Sequence, residues 1–395
     1  MDGKDKIGEI RGIADNQNME PEMMSILEEK LKEFPDRDKY LKKENDMKLL
    51  TLIDKKVNDN IDLTLEELKF LYEIDGQIIG FGYRKDPRIE EIKRKRNERK
   101  DYSLIFNVKE EEVALSQKEW LNNPEKFKAL PGSIDSLYLT SAEGLVLPQL
   151  VGGNIELRSL ASAEGLVLPK SIGGDIDLRS LASAEGLVLP ESIGGKIYLN
   201  SLTSAEGLVL PQHVRGINLS SLASAEGLVL PESIGGSIDL RSLTSAEGLV
   251  LPKSIGRHID LRSLTSAEGL VLPQHVGGGI NLSSLTSAEG LVLPQHVGDY
   301  IELRSLTSAE GLVLPQHVRD INLSSLTSAD GLVLPQHVGG YIDLNSLTSA
   351  EGLVLPHYFN LNKLKCPDNI KEEIMNNPDK YYMAPTEEDK KGIKK

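Results

Sequence analysis

One octapeptide constrains this chain more than anything else in it. Ser-Ala-Glu-Gly-Leu-Val-Leu-Pro first occurs at Ser141–Pro148 and last at Ser349–Pro356, and eleven copies, one with Asp330 in place of Glu, recur across that span. Successive prolines are 21 residues apart, except for steps of 20 from Pro211 to Pro231 and from Pro315 to Pro335. A short fixed period over more than half of a chain specifies a repeat architecture, in which each unit buries its apolar face only against its neighbours.

The unit can be read from Asp175 to Gly195. Ile176-Asp177-Leu178 and Leu187-Val188-Leu189 each alternate in and out with the strand period, with Leu181 and Ile193 following them. The spacing predicts two short extended segments on opposite sides of each coil, with a turn at either end. One turn is Gly-Gly or its substitute and the other is Ser-Ala-Glu-Gly. Proline closes the second segment because it has no N–H to give to a ladder. The shortened coils lose their residue between valine and isoleucine, at Val214-Arg215-Gly216-Ile217 and Val318-Arg319-Asp320-Ile321. That places the deletion in an exposed turn, where length is tolerated. The fold class expected is therefore a mainly β repeat solenoid of eleven coils preceded by a mostly α-helical region.

The expected organisation is a charged, mostly helical region over 1–130, the solenoid over 131–356, and a C-terminal cap with a loose tail over 357–395. Apolar spacing near 3.6 predicts helices over Glu22–Phe34 and Lys39–Val57. Thr64 and Glu67 form a capping-box pattern before Leu65–Ile74, and Asp86-Pro87 starts a helix expected to reach Lys100. Tyr102–Val108 reads as a strand and Glu110–Leu121 as a last helix carrying Trp120. The degenerate first coil begins at Ile134-Asp135-Ser136-Leu137, and a short helix over Asn369–Asn376 is expected to close the far end.

A net charge of −15 argues against a general nucleic-acid binder. The single cysteine, Cys366, excludes an internal disulfide framework and suits a reducing compartment. The opening residues Met-Asp-Gly-Lys-Asp-Lys-Ile-Gly show no apolar leader, and no run of 18 apolar residues occurs. These features lead to the expectation of a cytoplasmic protein with no membrane contact.

The unit Ile-x-Leu-x-Ser-Leu-Thr-Ser-Ala-Glu-Gly-Leu-x-Leu-Pro-x-x-Val resembles bacterial leucine-rich repeats of the short type, matched for example by Ile301, Leu303, Leu306, Leu312, Leu314 and Pro315. Leu306 stands where that family usually has an asparagine that satisfies turn backbone. A leucine-rich-repeat horseshoe and a straighter two-sided β-solenoid both fit the unit. The resemblance implies a protein-binding surface.

Four columns and one basic run are candidates for chemistry. Glu143, Glu164, Glu185, Glu206, Glu226, Glu247, Glu268, Glu289, Glu310, Asp330 and Glu351 form a carboxylate column. One acid per turn is too few for the known repeat calcium sites, so an outward-turned or turn-satisfying role is favoured over a cation strip. His213, His275, His296, His317 and His337 share one register, but a metal site needs convergent ligands with support behind them. A threonine column runs from Thr244 to Thr348, one per coil, unlike the paired arrays of an ice-binding face. Lys93-Arg94-Lys95-Arg96-Asn97-Glu98-Arg99-Lys100 sits at an expected helix C-terminus, where cations are favoured. Gly80-Phe81-Gly82 lacks the lysine and strand–loop–helix context of a phosphate loop.

The fourth column pairs Glu156 with Arg158, Asp177 with Arg179, Asp239 with Arg241, Asp260 with Arg262, and Glu302 with Arg304, each two residues apart and so on one strand face. It varies most between coils, becoming Asn218/Ser220, Asn281/Ser283 and Asn322/Ser324 elsewhere. It is the candidate partner-binding face. The sequence points to no catalytic residue, cofactor or metal, and leaves oligomeric state open. It is read as a non-enzymatic protein-interaction scaffold meeting a protein partner. The alternatives are a structural rod recognising a repetitive target such as a polymer, cell surface or ice, and an enzyme activity in the N-terminal region.

Overall fold

The structure is a computed structural model that describes residues 37–383 apart from residues 75, 81–84, 136, 137 and 358. The helix expected over Glu22–Phe34, the tail from Ala384 and most of Gly80-Phe81-Gly82 lie outside the described residues. Contacts divide the chain into two compact units between Leu115 and Ser116.

The first unit is helical. Helix α1 (Arg37–Asn58) buries Leu50 and Ile53 against Leu68 and Leu71 of α2 (Leu65–Leu71), all at most 1 % exposed. The capping box forms as the sequence predicts. Thr64 Oγ1 accepts the Glu67 N–H at 3.3 Å and Glu67 Oε2 accepts the Thr64 N–H at 2.8 Å. Helix α3 (Arg88–Arg94) starts where Asp86 Oδ1 accepts the Arg88 N–H at 3.0 Å, and adds Ile89 and Ile92 to the core.

Three sequence expectations fail in the next stretch. Helix α3 stops at Arg94 and not Lys100, because Asn97 opens a new helix, α4 (Glu98–Phe106), its side chain accepting the Lys100 N–H at 3.2 Å. The strand expected over Tyr102–Val108 is helical through Phe106 and ends at Asn107 with φ 53°. Packing decides this, since Tyr102 lies 4.5 Å from Tyr72 and Asp101 is buried beside it. The helix expected over Glu110–Leu121 divides into a 3-10 turn at Glu110–Glu112 and helix α5 (Gln117–Asn122), which Ser116 caps from the second unit.

The second unit is a parallel β-solenoid of about eleven turns spanning residues 129–365. One ladder has eleven parallel strands, from Ile155–Glu156 through Ile259–Asp260 to Ile342–Asp343 and Leu364–Lys365. Its register places isoleucine on isoleucine, as in Ile238↔Ile259 and Ile259↔Ile280. A second ladder is split into a four-stranded part, Ala129–Leu130 to Ser192–Ile193, and a six-stranded part, Ser233–Ile234 to His337–Val338. The split falls at the shortened coil holding Val214-Arg215-Gly216, where only a single bridge joins Ser192 to His213.

The second ladder corrects the sequence reading. It uses Ser192–Ile193 and its counterparts, and Leu187-Val188-Leu189 belongs to no strand. The two strands of a coil therefore flank the Gly-Gly corner and do not sit half a repeat apart. The alternation in Leu-Val-Leu is nonetheless real, with Leu187 6 % and Val188 75 % exposed. In a typical coil Ile259, Leu261, Leu264, Ala267, Leu270 and Val276 are 0–6 % exposed and form the continuous core.

Two turns shape each coil. Leu264 N–H donates to Leu261 O at 3.1 Å, which swings Leu264 inward after the strand. Leu270 N–H then donates to Ala267 O at 3.0 Å across Glu268-Gly269, with Gly269 at φ +74°. A positive φ at the third position of a four-residue turn is the type II pattern, which favours glycine.

Both ends of the stack are closed. The Gln117 side chain of α5 accepts the Asp135 N–H and donates to Asp135 O, each at 3.0 Å, so α5 is fastened to the first coil. At the far end α6 (Asp368–Asn376) and α7 (Pro378–Tyr381) bury Ile370, Ile374 and Tyr381. Leu355 N–H donates to Tyr381 O at 2.7 Å and Met383 N–H to Leu355 O at 2.8 Å. The last coil's backbone is thereby paired, which protects the edge from pairing with another chain.

Candidate functional site

The acid–arginine column is built from the end of the isoleucine strand. In Asp177, Asp239 and Asp260 one carboxylate oxygen accepts the backbone N–H two residues on, at 3.2 Å in each case. Asn218, Asn281 and Asn322 do the same at 3.0–3.1 Å for Ser220, Ser283 and Ser324. Aspartate and asparagine recur here because either can close this local turn. The acid is thus part of the coil's framework and is not a free outward charge.

The arginines lie across these acids. Arg179 Nε meets Asp177 Oδ1 at 2.9 Å, and Arg241 and Arg262 hold Asp239 and Asp260 in the same way. Arg304 Nε meets Glu302 Oε2 at 2.7 Å, and Arg158 binds both Glu156 at 2.9 Å and Asp177 of the next coil at 3.0 Å. The acid side chains are 6–20 % exposed and the arginine side chains 44–60 %. Burial pushes the Asp177 carboxyl up, but the hydrogen bonds from Arg179 and Arg158 outweigh it and hold that group below the usual carboxylate range. What this face offers to a partner is a row of oriented guanidinium edges, with the acids held beneath.

The other columns resolve differently. All eleven acids from Glu143 to Glu351 are exposed, and each donates its backbone N–H to the hydroxyl of the serine two residues before it, as Glu268 N–H does to Ser266 Oγ at 3.1 Å. Serine thereby supplies, in this corner, a side-chain acceptor to turn backbone. The threonines from Thr244 to Thr348 are exposed, one per coil. His275, His296, His317 and His337 are exposed and pair in register across adjacent strands. The rings of His275 and His296 stack at 5.3 Å and those of His317 and His337 at 4.9 Å. Among the described residues no three His, Cys, Asp or Glu side chains come together as metal ligands.

The basic run is absorbed into the first unit. Arg96 binds Asp101 through Nε at 2.6 Å and Nη2 at 2.8 Å, Lys95 Nζ reaches Asn58 Oδ1 at 2.7 Å, and Lys93 lies over the Tyr72 ring. The Tyr72 hydroxyl donates to Asp101 at 2.9 Å, and burial, then Asp101, push its pKa well up. A cleft of about 430 Å³ beside this group is lined by Asn60, Asp62, Lys95, Arg96 and Lys100 among others.

Two features escape sequence reasoning. In several coils the residue after the Gly-Gly corner, or its substitute, is an acceptor for the next coil. Ser133 Oγ accepts the Asn154 N–H at 2.9 Å, Asn154 Oδ1 that of Asp175 at 2.8 Å, and Asp175 Oδ1 that of Lys196 at 2.7 Å. These residues share chemistry but not identity, so the column does not stand out. The second feature is a valine stripe. From Val167 to Val333 nine consecutive valines are 69–75 % exposed, with Val146 and Val354 at 46 % and 40 % at its ends. Its signal is the invariant Leu-Val-Leu, whose alternation reads in the sequence as an extended core segment.

No family model, curated protein or solved structure matches this chain. Among the described residues no helix is long and apolar enough to cross a membrane. The chain is a repeat β-solenoid of about eleven coils.

Proposed function

We propose that this chain is a non-enzymatic protein-interaction scaffold that meets a protein partner through the arginine column of Arg158, Arg179, Arg241, Arg262 and Arg304. The observation that carries this reading is the clamping of Arg179, Arg241 and Arg262 by aspartates that are themselves fixed in the coil's own turn. A side chain already held loses little rotamer freedom on binding, and its outer N–H groups suit carboxylate or carbonyl acceptors. Acid/Arg and Asn/Ser coils are interspersed irregularly along the stack, which gives a partner a register to read.

Arg241→Glu with Arg262→Glu tests this reading in an affinity purification from the source cells. Loss of specific partners with an unchanged circular dichroism spectrum supports the face, and an unchanged partner set sinks it. We also read the coil as a relative of the short bacterial leucine-rich repeats and the protein as cytoplasmic. The Ile-x-Leu spacing supports the first, and the single cysteine, Cys366, suits the reducing compartment of the second. In-register columns of identical groups favour the second reading, a rod recognising a repetitive target. Under that reading, affinity would climb steeply with the number of coils, and chains with coils deleted from the middle would show it.

A further inference from the structure

We propose that the valine stripe is an interface between two copies of this chain. The inference uses a different face from the arginine column and does not depend on it.

The stripe is the most regular exposed apolar feature of the solenoid. Valine recurs once per coil, from Val167 at 73 % to Val333 at 69 % exposed, with no polar interruption in the column. Contiguous exposed apolar surface on a protein marks an interaction site. Its step is the coil rise, set by the parallel ladders at about 4.8 Å. An occupant that covers every valine has to carry apolar groups at that same step over the same length, and a second copy does so.

The area approaches what a stable pair needs. A buried valine worth about 1.5–3 kcal/mol corresponds to roughly 60–120 Å² at about 25 cal/mol per Å². Nine such side chains near three-quarters exposed offer about 400–800 Å² per copy, against about 800 Å² per partner in an interface of standard size. The Leu and Pro edges that line the groove beside Val188, from Leu168, Pro169, Leu189 and Pro190, add to it.

Charge is balanced along one flank of this face. The chain carries −15 overall, and the Ser-Ala-Glu-Gly corner presents an acid in every coil, so two copies repel over much of their surface. The position after the proline, which lines the same groove, is different. From Gln149 to Gln336 it holds Lys170, Glu191, Glu232 and Lys253 and is otherwise glutamine, a net charge of zero from two bases and two acids. Lys253 and Glu232 already pair at 3.2 Å. On the post-proline flank two stripes therefore meet with no net like charge, although each valine has an exposed acid three residues before it on its other flank, and a twofold pairing of one patch with itself closes at two copies.

Sedimentation equilibrium of the full chain tests this. The expected mass is twice 43.4 kDa. Val229→Lys, Val250→Lys and Val271→Lys together are expected to weaken self-association by about a hundredfold or more. The circular dichroism spectrum should not change, since these side chains are 72–74 % exposed. The milder Val→Thr changes at the same three positions should weaken it less, and Arg241→Glu with Arg262→Glu should leave the dimer intact. A chain that stays monomeric across the concentration range, a dimer that survives the three lysines, or open-ended growth in place of a closed pair each overturns the proposal.

Discussion

His258 Nδ1 accepts the backbone N–H of Gly279, one coil further on, at 2.8 Å, while its ring stacks on Tyr300 at 5.4 Å. Its place in the corner column is held elsewhere by Asn154, whose Oδ1 accepts the Asp175 N–H at the same distance of 2.8 Å. His258→Ala strands the Gly279 N–H at a half-covered site and is expected to destabilise the solenoid by about 1 kcal/mol. His258→Asn restores an acceptor and should recover most of that loss. Urea unfolding of the two variants checks this, and equal stabilities would show that the acceptor is immaterial.

Asp177 gives a pH dependence with a definite sign. Its folded-state pKa lies below the ordinary carboxylate value, because hydrogen bonds from Arg179 and Arg158 outweigh the upward push of burial. A depressed carboxyl contributes stability that is complete above the unfolded value of about 3.9 and is lost as pH falls through the folded value. Asp177→Asn should therefore cost about 1–2 kcal/mol at neutral pH. The gap from the parent chain should close below about pH 4. Denaturant titrations at a series of pH values read this directly, and a gap that persists in acid would refute it.

The glycines of the two turns should fail for different reasons. At Gly248 the nearest heavy atom to an added Cβ is 3.9 Å away, but φ is +74°, so Gly248→Ala carries only the left-handed backbone cost of about 1–2 kcal/mol. At Gly256 an added Cβ would come 2.2 Å from the Gly235 carbonyl oxygen, a backbone atom of the preceding coil. Gly256→Ala has to push adjacent coils apart and should lower the melting temperature well beyond Gly248→Ala. The reverse order would contradict the corner packing.

Cys366 follows the last ladder strand, Leu364–Lys365, and is half-buried. Burial pushes its thiol pKa up, more than the nearby Lys371 draws it down. Alkylation in the native protein should be slow at neutral pH and become fast in urea. Rapid native labelling would mean that the helices at that end open readily.

Much of this fold was legible because the repeat itself carries the information. The period fixed the number of coils, Ile176-Asp177-Leu178 marked one strand, and Thr64 with Glu67 marked a helix start. Leu187-Val188-Leu189 misled because alternation alone does not make a ladder. Proline follows it at Pro190, and the hydrogen bonding passes to Ser192–Ile193. Tyr102–Val108 misled because aromatic and branched residues suggest a strand, while Asn97 and the contact with Tyr72 favour a helix. On the candidate face, sequence spacing paired the right residues but ranked them equally. Only the structure separates the aspartates, which close turns, from the arginines, which remain half exposed.

The unequal ladders have a mechanical consequence. The isoleucine ladder runs without a break, while the second ladder is cut between its four-stranded and six-stranded parts. At the cut, a 3.4 Å bond from Gly235 N–H to Val214 O stands in for a strand pair. The stack is therefore built like a book with one sewn spine. Bending that opens the cut ladder breaks fewer strand hydrogen bonds than bending that opens the isoleucine ladder beside it. Of the two coils shortened by one residue, only the one holding Val214-Arg215-Gly216 carries the cut, and it sets a preferred direction of flexing between Ser192 and Ser233.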